Sequence, residues 1–158
     1  MVDRVQFTIV FAIMLLVGAR ANGGDVRGSW KLVSWTIDGK ENGEDVGSIM
    51  KFDKDYMVMT LGDGEKSPKI KYRIDESKTP MEIDFIMFGE NGKVVGASKG
   101  LCKIKDDALT LSFGLSRFPE FCLFGSTNVS RPKDFRSTDP GKKNERLIAR
   151  LVRVKKSK

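Results

Sequence analysis

From about residue 22 onward the chain alternates apolar and polar residues in short runs. In 70–74, Ile70, Tyr72 and Ile74 fall on one side, with Lys71 and Arg73 on the other. In 109–113, Leu109, Leu111 and Phe113 recur at period two around Thr110 and Ser112. Period two sends successive side chains to opposite faces of a strand. No stretch of this region keeps apolar residues at i, i+3, i+4 and i+7 beyond two turns, so helices are not expected. The pattern predicts strands at 29–37, 48–52, 56–61, 69–74, 81–88, 93–104, 108–113, 120–124 and 146–154. Between them, Asp38-Gly39, Gly62-Asp63-Gly64 and Glu90-Asn91-Gly92 accept the positive φ of tight hairpins. Asp53-Lys54-Asp55 and Lys105-Asp106-Asp107 are polar reversals of the same kind. Short strands joined by hairpins, each with one wet face, imply an all-β antiparallel sandwich or up-and-down barrel.

Two segments stand apart. Strand 93–104 places Val94, Gly96, Ser98, Gly100, Cys102 and Ile104 on one face. If that face is interior, its small residues leave room for a bend or for a ligand. Segment 114–141 holds Pro119, Pro132 and Pro140 and loses its alternation after Phe124, which predicts a long loop packed on or across a barrel mouth.

Residues 1–21 read differently. An apolar run at 7–19 is shorter than the roughly 20 residues a spanning helix needs. It follows Arg4 and precedes Ala19-Arg20-Ala21, whose small residues suit cleavage after Ala21. The expectation is a signal peptide at 1–21, an exported domain at 22–158, periplasmic or secreted, and no integral membrane segment in the mature chain. The whole chain carries 28 Lys+Arg against 21 Asp+Glu. Its formal charge of +7 loses one with Asp3, Arg4 and Arg20. The cations are spread along the chain, which does not favour nucleic acid as a partner.

The chain has no His, which removes imidazole acid–base chemistry, His-activated nucleophiles and His-containing zinc sites. Two Cys cannot build a four-thiolate zinc site. The remaining catalytic candidates, Asp75, Glu76, Glu82, Asp84, Asp106 and Asp107, lie in turns or on wet faces. No catalytic residue, metal site or cofactor is therefore assigned. Cys102 and Cys122 fall on strands that flank 108–113. Next-nearest strands are roughly 9.6 Å apart, and a disulfide needs Cα atoms within roughly 7 Å. Either Cys122 folds back over the intervening strand, or the two are separate buried thiols.

Gly28-Ser29-Trp30 at the first mature strand, with Arg146, Arg150 and Arg153 in the last, resembles the lipocalin-like barrels. The resemblance implies an eight-stranded up-and-down barrel in which Gly28 and Trp30 form the floor and Arg150 or Arg153 caps the indole. The chain is more closely similar to an uncharacterised lipocalin-like family of Planctomycetes bacteria. The stretches that carry this are Gly28 to Ser34 with Asp38-Gly39-Lys40, Tyr72 to Asp84, Asp107 to Leu111, Arg131 to Phe135 and Leu151 to Lys155. The chain departs from that pattern in extra residues between Phe113 and Arg131, in Cys102 where an aromatic is usual, and in Ser112 where a Cys is common.

The expected function is the binding of a small apolar or amphipathic ligand inside the barrel, lined by Ile70, Tyr72, Ile83, Phe85, Val94, Leu111 and Phe113. The alternative is a cell-envelope structural or protein-interaction module without a ligand. Its contact would be carried by the loop with Phe118, Phe121, Phe124 and Phe135.

Overall fold

A computed structural model describes residues 24–115, 130–136 and 145–155. The expected leader at 1–21, the expected strand at 120–124, Cys122 and the aromatics Phe118, Phe121 and Phe124 lie outside the described residues.

Among the described residues the strands are β1 (Gly28–Ile37), β2 (Lys40–Asn42), β3 (Ile49–Phe52), β4 (Tyr56–Thr60), β5 (Ile70–Asp75), β6 (Met81–Phe88), β7 (Val94–Lys105), β8 (Ala108–Leu115) and β9 (Glu145–Arg153). β1 and β3 to β9 run in an unbroken antiparallel order, and β1 pairs back onto β9, so eight strands close into a barrel. β2 is the extra strand. The Asp38-Gly39 turn has both residues at positive φ (50° and 79°), which matches the twist of a two-residue hairpin. That hairpin leads into β2 rather than straight to β3. β2 and β3 share one edge of β1, and Gly47 and Ser48 bridge the gap by hydrogen bonds with Leu32. The sequence Lys40-Glu41-Asn42 has no apolar residue to alternate, so nothing in the pattern marked it as a strand.

The alternation sets what is inside. Ile70 and Tyr72 of β5 are buried, as are Met81, Ile83 and Phe85 of β6, while Arg73 is exposed. The inward side chains of all eight barrel strands form one apolar core, from Trp30 and Phe52 through Phe85 and Phe113 to Leu151. A barrel of this strand number is just wide enough for side chains to fill it.

Two bulges alter the register. One interrupts β1 against β9 between Leu32 and Ser34. The other interrupts β7 against β6: Met87 pairs with Gly96, but Phe88 pairs with Val94, so Val95 is the extra residue. A bulge shifts everything beyond it to the other face. Val94 therefore leaves the interior row and is 56% exposed, beside Val95 at 64%. Val94 does not line the barrel.

One end of the barrel is closed. There the turns after β3, β5 and β7 and the end of β9 are crossed by residues 24–27. Val26 is buried, and its carbonyl accepts the Trp30 indole N–H at 2.6 Å. No described helix is long and apolar enough to cross a membrane.

Candidate functional site

The barrel core is the first place to look for a ligand, and among the described residues its side chains pack closely. Ile70, Tyr72, Ile83, Phe85, Leu111 and Phe113 all face inward in one core, and their side chains occupy the space between them. Aromatic rings pack in sequence across the interior. Tyr72 meets Phe52 edge-on at 5.3 Å, Phe52 lies 6.3 Å from Phe85, and Phe85 lies 5.1 Å from Phe113. The residual space among Leu32, Trp35, Met50, Leu111, Phe113 and Ala149 is about 10 Å³. That is about the size of one water probe.

The small-residue row of β7 explains how so many rings fit. Ser98, Gly100 and Cys102 do face inward, buried opposite Phe85, Ile83 and Met81. The room they leave is taken by Phe113, whose ring lies against Gly100. A Cβ at that position would sit 2.3 Å from Phe113 Cε1 and 2.7 Å from the Ser112 carbonyl. The strand is hollowed for a neighbouring ring, not for a ligand. Cys102 carries a free buried thiol, and burial pushes its pKa up to about 12.

A larger space lies outside the wall, near the closed end. A groove of about 420 Å³ opens between the β5–β6 turn, the second half of β7 and residues 133–135. Pro80 and Phe135 give it apolar surface, and it is backed by Met81, Cys102 and Ile104, whose side chains point into the barrel core. Lys78, Lys103, Lys105 and Lys133, all exposed, form its rim. Among the described residues no carboxylate lies within salt-bridge distance of these four ammonium groups. The Lys103 ammonium instead sits 5.5 Å above the Phe135 ring.

Two acidic groups also line the groove. Asp134 is held by guanidinium groups, at 2.5 Å from Arg136 and 3.3 Å from Arg146. The hydrogen bond from the Arg136 side chain holds its carboxyl below the usual range. Glu76 is the other. The charge at the groove mouth is therefore positive.

One wall of the groove is a strap, residues 130–136, laid on the outer face of the barrel. Arg131 anchors it. Its Nη1 donates to the Gly100 carbonyl at 2.6 Å, its Nη2 to Asp84 at 2.8 Å, and its Nε lies 3.1 Å from Glu82. Pro132 is buried. Farther along, Arg146, only 2% exposed, donates to the carbonyls of Asp134 and Arg136, and Ser112 donates to the Asp134 carbonyl. Glu82 and Asp84 are thus partners of Arg131. Asp107 pairs at longer range with Arg153 and Lys155, and hydrogen bonds from Ser77 hold Asp75 below its ordinary pKa. Among the described residues no cluster of three or more acidic or thiol groups is placed to hold a metal.

At the closed end, the guanidinium of Arg153 lies 4.1 Å over the Trp30 ring, a cation–π contact. Its two terminal nitrogens donate to the carbonyls of Arg27 and Asp25, which ties residues 25–27 across the opening. Arg150 is exposed and opposite Ser34 and Thr110, so Arg153 is the capping residue of the two. Gly28 has φ of 121°, and a Cβ there would come within 3.1 Å of Arg153 Nη1. The positive φ favours glycine there, and any side chain would also push the Arg153 guanidinium by a few tenths of an ångström.

No family model, curated protein or solved structure matches the chain. The geometry of this chain is therefore what any functional reading rests on.

Proposed function

We propose that the chain is an exported, non-catalytic binding protein, a lipocalin-like barrel that takes a small amphipathic ligand on the outside of its wall. The observation that carries this reading is the groove of about 420 Å³, set against a space of only about 10 Å³ between the core side chains of Leu32, Met50, Leu111 and Phe113. Small-molecule sites occupy about 300–1,000 Å³ and combine apolar lining with a few placed polar groups. The groove has both. The export half of the reading is supported by the apolar run at 7–19 and the small residues Ala19 and Ala21. The lipocalin-like half is supported by Gly28, Trp30 and Arg153 standing together at the closed end.

Native mass spectrometry of the protein recovered from its own host tests the reading. A bound small molecule is expected. Thr79→Trp places an indole on the groove rim at an exposed position and is expected to remove that molecule while thermal unfolding stays unchanged. A protein recovered empty, or a molecule retained in Thr79→Trp, overturns the groove as the binding site.

A further inference from the structure

At the end of the barrel away from residues 24–27, the β6–β7 hairpin presents apolar side chains to solvent. Its turn is ordered. The Gly89 N–H donates to the Lys93 carbonyl, the Gly92 N–H to the Gly89 carbonyl, and the Lys93 N–H to Asn91 Oδ1. Gly89 lets the two arms close up, since a Cβ there would lie 2.8 Å from Val95 Cγ1. Beside this turn Phe88, Val94 and Val95 are 46%, 56% and 64% exposed. Large apolar side chains clustered in the open on a fixed turn mark a contact surface.

Cations stand beside and behind it. The register places Tyr56, Lys71, Ile86 and Ala97 in one outward row across β4 to β7. The following row, farther from the turn, holds Arg73, Asp84 and Lys99. Lys69 and Lys93 are exposed and lie nearer the tip. Asp84 is paired with Arg131. Among the described residues no carboxylate lies within salt-bridge distance of Lys69, Lys71, Arg73, Lys93 or Lys99. Glu90 is the one carboxylate of the turn itself.

We propose that this hairpin is a docking tip for an anionic phospholipid bilayer. Phe88, Val94 and Val95 enter the interface, and the lysines around them hold the headgroups. The occupant follows from the order of side chains along the strands. The Phe88–Val94 pair lies two residues beyond the Lys71 row, a lead of about 7 Å. Interfacial elements bury their apolar side chains about 5–10 Å into the headgroup and acyl boundary. That depth leaves Lys71 and the Tyr56 ring among the headgroups, where an ammonium meets phosphate and a tyrosine has one apolar and one wet end. A protruding tip enters a deformable layer without a matching recess, which a folded protein partner would have to supply. The groove lies at the β5–β6 turn, toward the other end of the barrel, so this docking does not rest on the groove being a ligand site.

The test uses protein recovered from its host, wild type and variants with the same N-terminus. It is mixed with vesicles of phosphatidylcholine alone or with added phosphatidylglycerol, their acyl chains brominated near the headgroup. Val94→Trp adds an exposed indole, while the buried Trp30 and Trp35 serve as internal controls. Bromine is expected to quench Val94→Trp in the anionic vesicles and to leave the wild type unquenched. In co-sedimentation, Phe88→Ser/Val94→Ser is expected to weaken binding about tenfold or more. Lys69→Gln/Lys93→Gln, at exposed positions, weakens it about tenfold, and added salt weakens the wild type. Thermal unfolding of each variant stays at the wild-type temperature. Phe88→Trp repeats the quenching test if Val94→Trp unfolds early.

Vesicle binding without quenching of either tryptophan variant overturns the tip. Equal binding to neutral vesicles, or no effect of the lysine variant, overturns the anionic surface. Absence of vesicle binding overturns the proposal outright, and a soluble acidic protein captured through Phe88 and Val94 instead would assign the tip to a protein partner.

Discussion

Gly100 and Phe113 show how one residue decides what the barrel interior holds. The ring of Phe113 lies where a Cβ on its cross-strand partner would go, at 2.3 Å and 2.4 Å from two ring carbons. Backbone atoms of Ser112 close the other side at 2.7 Å, so the methyl of Gly100→Ala has no route of escape. Overpacking of this kind costs about 1–3 kcal/mol. Denaturant unfolding is expected to show Gly100→Ala destabilised in that range, and Phe113→Leu is expected to cost about 1 kcal/mol less in that background than alone. Additive effects would mean that the ring is not the obstacle. Beside it, Cys102 gives a pH signature. Desolvation, and after it the charge of Glu76, raises the thiol from 9.0 to about 12. The folded chain holds the proton longer than the unfolded chain. The stabilisation is therefore complete below pH 9 and drains as pH rises toward 12. By pH 10.5 the loss is about 2 kcal/mol. The stability gap between wild type and Cys102→Ala is expected to shrink by that amount between pH 8 and 10.5. A constant gap would show that the thiol titrates alike in both states.

At the scale of elements, the strap turns a bare barrel wall into one side of a groove. Arg131 is partly exposed, so its pairs with Glu82 and Asp84 are screened, and Arg131→Met is expected to cost about 1–2 kcal/mol. A double-mutant cycle with Asp84→Asn is expected to give a coupling of about 0.5–1 kcal/mol. A coupling near zero would leave the backbone bond to Gly100 as the anchor. The strands themselves were largely legible, because period-two alternation and the hairpin turns report directly which face is buried. The strap was not, because residues 130–136 bond through carbonyls and guanidinium groups, which leave no period. Two residues did carry a signal. Leu101 stands between Lys99 and Lys103, and Ile148 between Arg146 and Arg150, each apolar on an otherwise charged outer face. They lie in one cross-strand row, Glu82, Leu101, Ser112 and Ile148, and both are buried. Apolar residues on a wet face imply that something covers it. The lysine rim was hidden for another reason: Lys78, Lys103, Lys105 and Lys133 come from three elements that only the folded chain brings together. Val94 was misplaced because a bulge is a property of register, and Val95 looks like any strand residue in sequence.

At the scale of the whole molecule, closure is uneven around the barrel, and this sets where it opens. β8 and β9 stay in register from Ala108–Val152 to Leu115–Glu145, and β9 continues onto β1 from Leu147–Ile37 to Arg153–Trp30. β4 and β5 are in register only at Tyr56–Lys71 and Met57–Ile70. Beyond that point, residues 61–67 fold back over the rest of β4. Ser67 donates to the Met59 carbonyl and its hydroxyl accepts the Met59 N–H, both without help from β5. A closed barrel exposes no edge, so a local opening must begin by parting one pair of strands. The shortest ladder has the fewest bonds to break. Native-state hydrogen exchange is expected to place the amides bonded across β4–β5 in a lower-energy opening, several kcal/mol below those of β8, β9 and β1, which exchange only with global unfolding. Arg153→Met removes the cap from Trp30 and frees residues 25–27, and it is expected to lower the global free energy by about 1–2 kcal/mol. Residues 25–27 also lie beside Asp55 and Tyr72 at the end of the β4–β5 ladder, so the same variant is expected to ease the β4–β5 opening as well. An unchanged β4–β5 opening would show that residues 25–27 do not brace the seam. The groove joins the two sides of the barrel: β7 and the strap lie on the firmly paired side, while the β5–β6 turn that forms its other wall follows directly from the seam strand β5.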